Sequence, residues 1–414
     1  MLASYDSHQN KIKFPDKISV GLLPEFAAAI GLWHQRKPGN FLTLDFSRVT
    51  KAFANGMLGI IAKVAQLRLQ GNDIFIILPH QSDAKEFFLT TNWAHLLNPG
   101  FPMDTKQNTR HFARQFTSFE MLPDLIFQFM NIVMRYISMP RDILSALEWS
   151  VNEVCDNVIN HSNSTPGGFL QIIAYPQNGT IAFSVADAGD GILTTLREGF
   201  PNLETDIEAI EEALKAGVTR NKKYGQGNGL AGTSRITNLT GGTLDILSGG
   251  GRLLITPKGK QLFSNSLDEN FSGTCVSGQI CMSTEFSISE ALSFGSFPYT
   301  PYNVVDAQYE LEHENALLIC MRDENLGTGT RQAGKEMRFK LQNLMEAKPE
   351  YPIYIDWQEI SVIASSFADE FMGKLFVTLG KDRFERLIRN TNLDSLVAQL
   401  ISKAITERSM TDES

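Results

Sequence analysis

The stretches NEVCDNVINH (residues 152–161), DAGDGI (residues 187–192) and GQGNGL (residues 225–230) follow one another in the centre of the chain and decide its interpretation. Each stretch alone is a weak signal, because polar helix faces and glycine clusters are common in soluble proteins. The three stretches are more informative together than singly. They occur in a particular order and spacing, and each is placed on a predicted helix, strand end or loop. We therefore expect a helix, a strand end and a glycine-rich loop to meet at one site.

The first stretch lies in a helix predicted from about residue 141 to residue 162. At 3.6 residues per turn, one side of this helix is an apolar stripe made of Leu147, Val151, Val154 and Val158. Another side groups polar residues within one arc, namely Glu153, Asn157, Asn160 and His161. An amide oxygen suits the coordination sphere of Mg²⁺, and a carboxylate one turn away can polarise a water or a hydroxyl. A solvated polar face without chemistry is the alternative.

The second stretch ends a predicted strand, TIAFSVAD (residues 180–187). Its large apolar residues alternate with smaller ones, which is typical of a strand with one face in a core. Asp187 follows at the strand end, beside Gly189 and Gly191. A carboxylate in this position can accept a hydrogen bond from an exocyclic amine while a flat ring lies against the glycines, and adenine fits that description. A strand followed by an Asp-Gly turn is the alternative.

In the third stretch, Gly225, Gly227 and Gly229 precede a helix predicted to begin at about Leu230. Such glycines let backbone N–H groups converge on a phosphate, whose negative charge the helix dipole favours. The spacing differs from both the P-loop and the dinucleotide fingerprint. Residues 216–229 are predicted to form a mobile lid that nucleotide orders, and a flexible linker is the alternative. Hydroxyl and basic residues lie just upstream: Thr219, Arg220, Lys222 and Lys223.

Together the three stretches resemble the N box, first glycine box and second glycine box of the GHKL ATPase superfamily, which includes DNA gyrase, mismatch-repair ATPases and sensor histidine kinases. The resemblance covers about residues 108–285 and implies a Bergerat-type α/β sandwich that binds Mg-ATP. With Glu153, Asn157 and His161 at intervals of four, the helix most resembles the serine kinases that act as anti-sigma factors. Nothing resembles the dimerisation helix of a histidine kinase, so His161 is interpreted as a hydrogen-bonding or packing residue.

This resemblance implies a role for each matching residue. Glu153 would be the catalytic base, and Asn157 would bind the nucleotide and be the Mg²⁺ ligand. Asp187 would read adenine, and Thr274, at the start of TCVSGQICM, would support that contact. The remaining nucleotide-binding residues would be Gly189, Gly191, Gly225, Gly227, Gly229 and Leu230.

A second resemblance concerns the two ends of the chain. The segment IYIDWQEISVIASSFADEFMGKL (residues 353–375) resembles a STAS-like domain, a module related to anti-anti-sigma factors, and is especially similar to an uncharacterised STAS-like family marked by SSFADE. Residues 42–60 are similar in outline. In phosphorylated members of the wider fold the acceptor serine begins the helix, which implies Ser365 or Ser366 as a candidate phosphoacceptor. The use of these serines as helix N-caps is the alternative.

The predicted elements divide the chain into blocks, and the two resemblances imply a STAS-like α/β domain (residues 1–105), a GHKL domain (108–285), a linker (286–303) and a STAS-like C-terminal domain (304–414). The first block contains a strand-helix-strand unit with short connections, which predicts a parallel strand pair with a right-handed crossover. The fold class is therefore α/β and α+β multidomain, with a central sandwich and a small α/β domain on either side.

Composition limits the classes of function. The formal net charge of −9 argues against a general nucleic-acid or anionic-membrane binder, because such proteins need a basic patch. The apolar runs fall short of the roughly 18 residues that a membrane span needs, and the N-terminal sequence lacks a signal-peptide core, which predicts a cytoplasmic protein without a membrane partner. The cysteines lack CxxC spacing and are predicted to be buried reduced thiols: Cys155, Cys275, Cys281 and Cys320.

The sequence leaves three classes of function open. The first is a signalling enzyme that uses ATP and Mg²⁺, in which Glu153 activates water for hydrolysis or a protein serine for phosphoryl transfer. The second is a non-catalytic switch, in which nucleotide changes how the STAS-like domains dock on a protein partner. The third is a scaffold whose glycine motifs are structural. A protein partner of the STAS-like domains is expected, and a homodimer is compatible with each class.

Overall fold

The computed structural model describes residues 3–36, 39–103, 111–218, 228–265, 270–293, 301, 308–311, 314–324 and 327–411. The chain is mixed α/β with several sheets and separates into two compact units. The first unit comprises Met1–Ile126 and Ser145–Pro301, and the second comprises Phe127–Leu144 and Tyr302–Ser414. In the described residues, no helix combines the length and the apolar character needed to cross a membrane.

The first unit begins with a small α/β block. Its elements are β1 (Ser4–Asp6), β2 (Lys11–Lys13), β3 (Lys17–Ile18), α1 (Leu23–Arg36), β4 (Phe41–Asp45), β5 (Lys51–Ala52), α2 (Ala54–Leu69), β6 (Asp73–Ile77), α3 (Ser82–Thr90) and α4 (Trp93–Leu97). A four-stranded sheet has the order β1-β2-β4-β6, and β3 pairs with β5. Strands β4 and β6 are parallel, so the parallel pair predicted from the strand-helix-strand pattern is confirmed. Strands β1 and β2 and helix α1 were not predicted.

The central elements are β7 (Ala113–Phe116), α5 (Leu122–Tyr136), α6 (Arg141–His161), β8 (Gly168–Tyr175), β9 (Thr180–Asp187), α7 (Gly191–Arg197), α8 (Asp206–Ala213), α9 (Gly229–Leu239), β10 (Thr243–Gly249), β11 (Gly251–Thr256), β12 (Gly259–Ser264), β13 (Phe271–Cys281) and α10 (Ile288–Ala291). The strands form a seven-stranded sheet in the order β12-β11-β10-β13-β9-β8-β7, with antiparallel neighbours. Helix α10 lies in the predicted linker, yet it packs on α9 and buries Ile288 and Ala291.

Helix α6 and strand β9 have the bounds that their patterns predict, because both patterns are long and regular. The apolar stripe of α6 is buried as expected: Leu147, Val151, Val154 and Val158. Strand β9 departs from the prediction of one buried face. Its small residues Ser184 and Ala186 are also buried, since α2 of the first block packs across this strand. Small side chains on that face allow the helix to approach the sheet closely.

The first block and the seven-stranded sheet share one hydrophobic core. Buried residues of α1, α2 and β4 form a continuous cluster with Phe169, Ile173, Ala186, Leu247 and Cys275 of the sheet. A close approach lies at Gly59 of α2, where an added Cβ would be 2.6 Å from the side chain of Leu23 in α1 and 2.9 Å from Cys275 Sγ of the sheet. The block is therefore an integral layer of the first unit.

We expect Gly59→Leu to lower the free energy of unfolding of the first unit by about 1–3 kcal/mol or more, because the larger side chain overpacks this contact. Urea denaturation followed by tryptophan fluorescence measures the loss. Leu69→Ala is the matched control on the same helix, since Leu69 is 61% exposed and its truncation should change the free energy by less than about 0.5 kcal/mol. An unchanged unfolding midpoint for Gly59→Leu would contradict close packing of α2 on the sheet.

The second unit contains the C-terminal α/β block. Its elements are β14 (Glu310–Leu311), β15 (Ala316–Cys320), α11 (Arg331–Ala347), β16 (Ile353–Asp356), α12 (Ser365–Ala368), a π-helical turn (Asp369–Gly373), α13 (Lys374–Leu379), α14 (Lys381–Leu387), β17 (Ile388–Thr391) and α15 (Ser395–Thr411). The sheet order is β14-β15-β16-β17. An antiparallel pair is followed by two parallel pairs, which is the order and direction of β1-β2-β4-β6 in the first block.

The two α/β blocks also share a local turn. After β4, the Ser47 N–H donates to Asp45 Oδ1 at 3.0 Å, and after β16 the Gln358 N–H donates to Asp356 Oδ1 at 3.0 Å. This repeated geometry supports the outline similarity of residues 42–60 to the C-terminal block. The two blocks are therefore two copies of one topology.

Candidate functional site

The site lies where the polar side of α6, the loop after β9 and the start of α9 meet. A Cβ added to Gly229, the first residue of α9, would be 2.5 Å from Glu153 Oε2. A side chain at position 229 would push the Glu153 carboxylate out of this position. The structure thus brings together Glu153 of the first stretch and Gly229 of the third.

Glu153 is set apart from an ordinary surface carboxylate by its pKa. Burial raises this pKa to about 7, and the neighbouring Asp156 charge adds to the effect. Asp156 itself accepts a hydrogen bond from Asn160 Nδ2 at 2.8 Å. Asn157 and His161 are half-buried on the same side of α6. A carboxyl group with a pKa near neutrality can exchange a proton under physiological conditions.

Asp187 is the most enclosed carboxylate of the site and is 3% exposed at the end of β9. Its Oδ1 accepts a hydrogen bond from the Gly189 N–H at 2.8 Å, and its carboxylate also accepts one from the Thr274 backbone. Burial nevertheless raises its pKa to about 7, because these bonds do not fully replace hydration. A buried acceptor of this kind is suited to a polar, uncharged donor such as an exocyclic amine.

The loop after Asp187 is held by groups from outside it. Gly189 packs on the end of α6, where an added Cβ would be 1.9 Å from the Ser162 carbonyl oxygen. The Asp190 N–H donates to that same carbonyl at 2.8 Å. Gly191 has a φ of +78°, a conformation that favours glycine, and begins α7. These contacts fix the loop against α6, so both glycines that the sequence singled out are required by geometry.

Ser248 belongs to the same site, although it was not predicted. It is fully buried at the end of β10, and its Oγ accepts a hydrogen bond from the Ile192 N–H at 2.8 Å. The same oxygen lies 3.1 Å from Thr274 Oγ1. Ser248 thereby links the start of α7 to the threonine that the sequence assigned to the adenine contact. The sequence signal that could have indicated Ser248 is its hydroxyl within the apolar strand pattern LDILSG (residues 244–249).

Much of the third stretch lies outside the described residues, including Gly225, Gly227 and the upstream Thr219, Arg220, Lys222 and Lys223. Gly229 and Leu230 form the first turn of α9. Two described residues within the predicted lid range are joined, because the Gly217 N–H donates to Asn228 Oδ1 at 3.0 Å beside the start of α9. The predicted ordering of the lid by nucleotide stays a prediction.

Ser365 and Ser366 begin α12, but neither caps it. The N-cap position is Ala364, and no side chain makes a capping hydrogen bond. Ser365 is exposed and Ser366 is half-buried. The alternative that these serines are N-cap residues was therefore wrong, because the helix begins one residue earlier than that role requires.

The carboxylates of the SSFADE stretch hold helices together. Asp369 accepts hydrogen bonds from Arg408 Nε and Nη2 at 2.7 and 2.9 Å, and these bonds lower its pKa. Glu370 is 5% exposed and accepts hydrogen bonds from Lys374 at 2.5 Å and from Arg331 at 3.0 Å. These pairs join α11, the π-helical turn and α15, so the two acidic residues have a structural role.

The cysteines are free thiols in the structure. Cys155 and Cys275 are buried as predicted, whereas Cys281 and Cys320 are only half-buried. These two lie at strand ends, where the sheet no longer covers them fully.

Comparison with known families identifies one part of the chain. Residues 333–398 match the family described as a STAS-like domain of unknown function (DUF4325). The C-terminal block contains a STAS-like domain. This confirms the prediction made from residues 353–375 and extends it from α11 to the first turn of α15. No curated protein matches the chain.

Proposed function

We propose that the central sheet and its helices bind Mg-ATP in a GHKL-type site, and that the chain hydrolyses ATP or transfers its γ-phosphoryl group to a protein serine. The observation that supports this most is the contact between Gly229 and the Glu153 carboxylate. The two residues come from separate sequence stretches, and a side chain at position 229 would displace the candidate base. A glycine that leaves this carboxylate in place supports the proposal that the stretches act together.

The residues present fit the nucleotide and its metal ion. Asp187 offers a buried acceptor for the adenine amine, and Thr274 and Ser248 hold the backbone beside it. Asn157 offers an amide oxygen to Mg²⁺, which is usually held by one or two protein ligands together with phosphate oxygens and water. Among the described residues no group of three acidic, histidine or cysteine side chains could hold a metal ion, and a site of this kind does not require one. When bound, Mg²⁺ would neutralise charge on the phosphates.

Glu153 is the candidate base, because it lies beside the start of α9 while Asp187 is assigned to the adenine. Its raised pKa of about 7 makes the carboxylate a base of suitable strength for the proton of a water or a serine hydroxyl. A water gives free phosphate, and a serine gives a phosphoprotein. Ser365, exposed at the start of α12, and Ser366 beside it are the candidate acceptors within the chain.

A nucleotide-dependent switch is the second candidate. The first α/β block shares its core with the sheet, so redocking of that block would expose apolar surface at a large cost in free energy. A switch would therefore act through the C-terminal STAS-like domain and its protein partner. Because the first block cannot redock cheaply, catalysis is the first candidate and the switch the second.

Incubation with Mg²⁺ and γ-labelled ATP tests the proposal. We expect label in free phosphate if the reaction is hydrolysis, and in the protein or in a protein of an added cell extract if it is transfer. A Ser365→Ala, Ser366→Ala double variant keeps the hydrolysis signal and removes only the label on the chain itself. Binding without release of label would support the switch, and no thermal shift with Mg-ATP would contradict both functions.

A further inference from the structure

Helix α2 of the first block contacts the loop of the candidate adenine site directly. One side of this helix faces the sheet at intervals of three and four residues. Gly59 lies against Cys275, Lys63 Nζ lies 2.8 Å from Ser272 Oγ, and Gln66 Nε2 donates to the Ala188 carbonyl at 2.7 Å. Ala188 is the residue between Asp187 and Gly189 and is fully buried.

The Ala188 carbonyl belongs to the peptide group that also contains the Gly189 N–H. That N–H is the donor to Asp187 Oδ1 at 2.8 Å. Because a peptide group is planar, fixing its carbonyl oxygen also fixes the direction of its N–H. One rigid peptide therefore connects the Gln66 carboxamide to the Asp187 carboxylate. On the other side, the Ala188 N–H donates to Ser164 Oγ at 3.2 Å.

Lys63 determines which way the Gln66 carboxamide faces. Its ammonium group donates to Gln66 Oε1 at 2.8 Å. An ammonium group can only donate, so the carboxamide oxygen must face Lys63 and the NH₂ group must face Ala188. The orientation required for the Ala188 contact is thus set within α2 itself.

We propose that Gln66 is a positioning residue of the adenine site, through which the first α/β block sets the affinity and base selectivity of nucleotide binding. Gln66 holds the peptide after Asp187, and that peptide orients the carboxylate that reads the adenine amine. The inference rests on the proposed ATP site. It gives the first block a function beyond covering the sheet.

The test compares the dissociation constants of Mg-ATP and Mg-GTP for the full chain by calorimetric titration. Gln66→Leu and Gln66→Glu both remove the donor to Ala188, and the second keeps the shape of the side chain. We expect either variant to weaken Mg-ATP binding by about tenfold, the value of one lost hydrogen bond, while Mg-GTP binding changes little. Lys63→Met should have a smaller effect in the same direction, because it frees the carboxamide to rotate.

Asn72→Leu is the matched control. Asn72 lies beyond the end of α2, and its carboxamide Nδ2 donates to the Leu67 carbonyl at 2.9 Å. Removing this carboxamide should leave the dissociation constants of Mg-ATP and Mg-GTP unchanged. If the Gln66 variants bind Mg-ATP like the wild type, the role of Gln66 is wrong, whereas the proposed ATP site is not contradicted. Equal weakening of both nucleotides with a lower melting temperature would show a structural role only. If the wild-type chain binds no Mg-ATP, the proposed function itself fails and the inference falls with it.

Discussion

Replacing Glu153 with glutamine should lower the rate of phosphate release or transfer by about 10²- to 10⁴-fold, which is the usual contribution of a general base. The dissociation constant of Mg-ATP should stay close to the wild-type value, since the role of Glu153 is exercised in the transition state rather than in the ground state. Glutamine keeps the size of the side chain beside Gly229, so the start of α9 is not disturbed. Single-turnover assays with labelled ATP, combined with calorimetric binding, separate the two quantities.

The raised pKa of Glu153 should make the reaction rate depend on pH. Only the ionised carboxylate accepts a proton, and burial followed by the Asp156 charge raises its pKa to about 7. The wild-type rate should therefore rise with pH and level off above about 7. Asp156→Asn removes the second cause, so its rate profile should move to lower pH while retaining activity.

Asp156→Asn is also the control for charge, because it neutralises the next carboxylate on the same side of α6. Loss of turnover in Asp156→Asn equal to that in Glu153→Gln would contradict the assignment of Glu153 as the base. Unchanged turnover in Glu153→Gln would contradict it directly.

Asp187→Asn should raise the dissociation constant of Mg-ATP by about 10- to 100-fold, the expected cost of replacing a charged hydrogen-bond acceptor in a buried site. An asparagine keeps the shape of the side chain but offers one acceptor oxygen, and Gly189 and Thr274 already donate to this group. Little acceptor capacity remains for an exocyclic amine. Calorimetric titration measures the change.

The raised pKa of Asp187 predicts the direction in which the stability of the chain changes with pH, and this direction can be measured. Its ordinary value is 3.8, and burial raises the folded-state pKa to about 7. The unliganded chain therefore loses stability from this group as the pH rises from about 4 to about 7, because the unfolded state has released its proton there while the folded state still binds one, so folding takes up a proton. Mg-ATP binding needs the ionised form, so the rise in melting temperature caused by Mg-ATP should grow across the same interval. In Asp187→Asn this growth should be absent.

Asp245 provides the matched control on the adjacent part of the sheet. It is 8% exposed and is paired with Arg252 Nε and Nη2, both at 2.8 Å. Asp245→Asn should lower stability without changing the dissociation constant of Mg-ATP. Equal loss of Mg-ATP affinity in both variants would contradict a specific role for Asp187.

The sequence by itself determined the elements whose patterns are local and regular. The 3.6-residue period of α6 and the alternation in β9 predicted both elements and the polar residues they carry, and the strand-helix-strand order predicted the parallel pair β4 and β6. The STAS-like character of the C-terminal block was also available from its sequence, since residues 353–375 fall within the matched family region. These features depend on neighbours in the chain, which a sequence displays directly.

The tertiary structure decided what lies against these elements. An apolar pattern shows that a face is buried but not what covers it, because the hydrophobic effect has no direction. The sequence therefore predicted one buried face for β9 and did not reveal that α2 covers the other. Gln66 and Ser248 were missed for a related reason: each is a polar residue whose partner lies far away in the chain, at Ala188 and Ile192. Only folding brings such donors and acceptors within hydrogen-bonding distance.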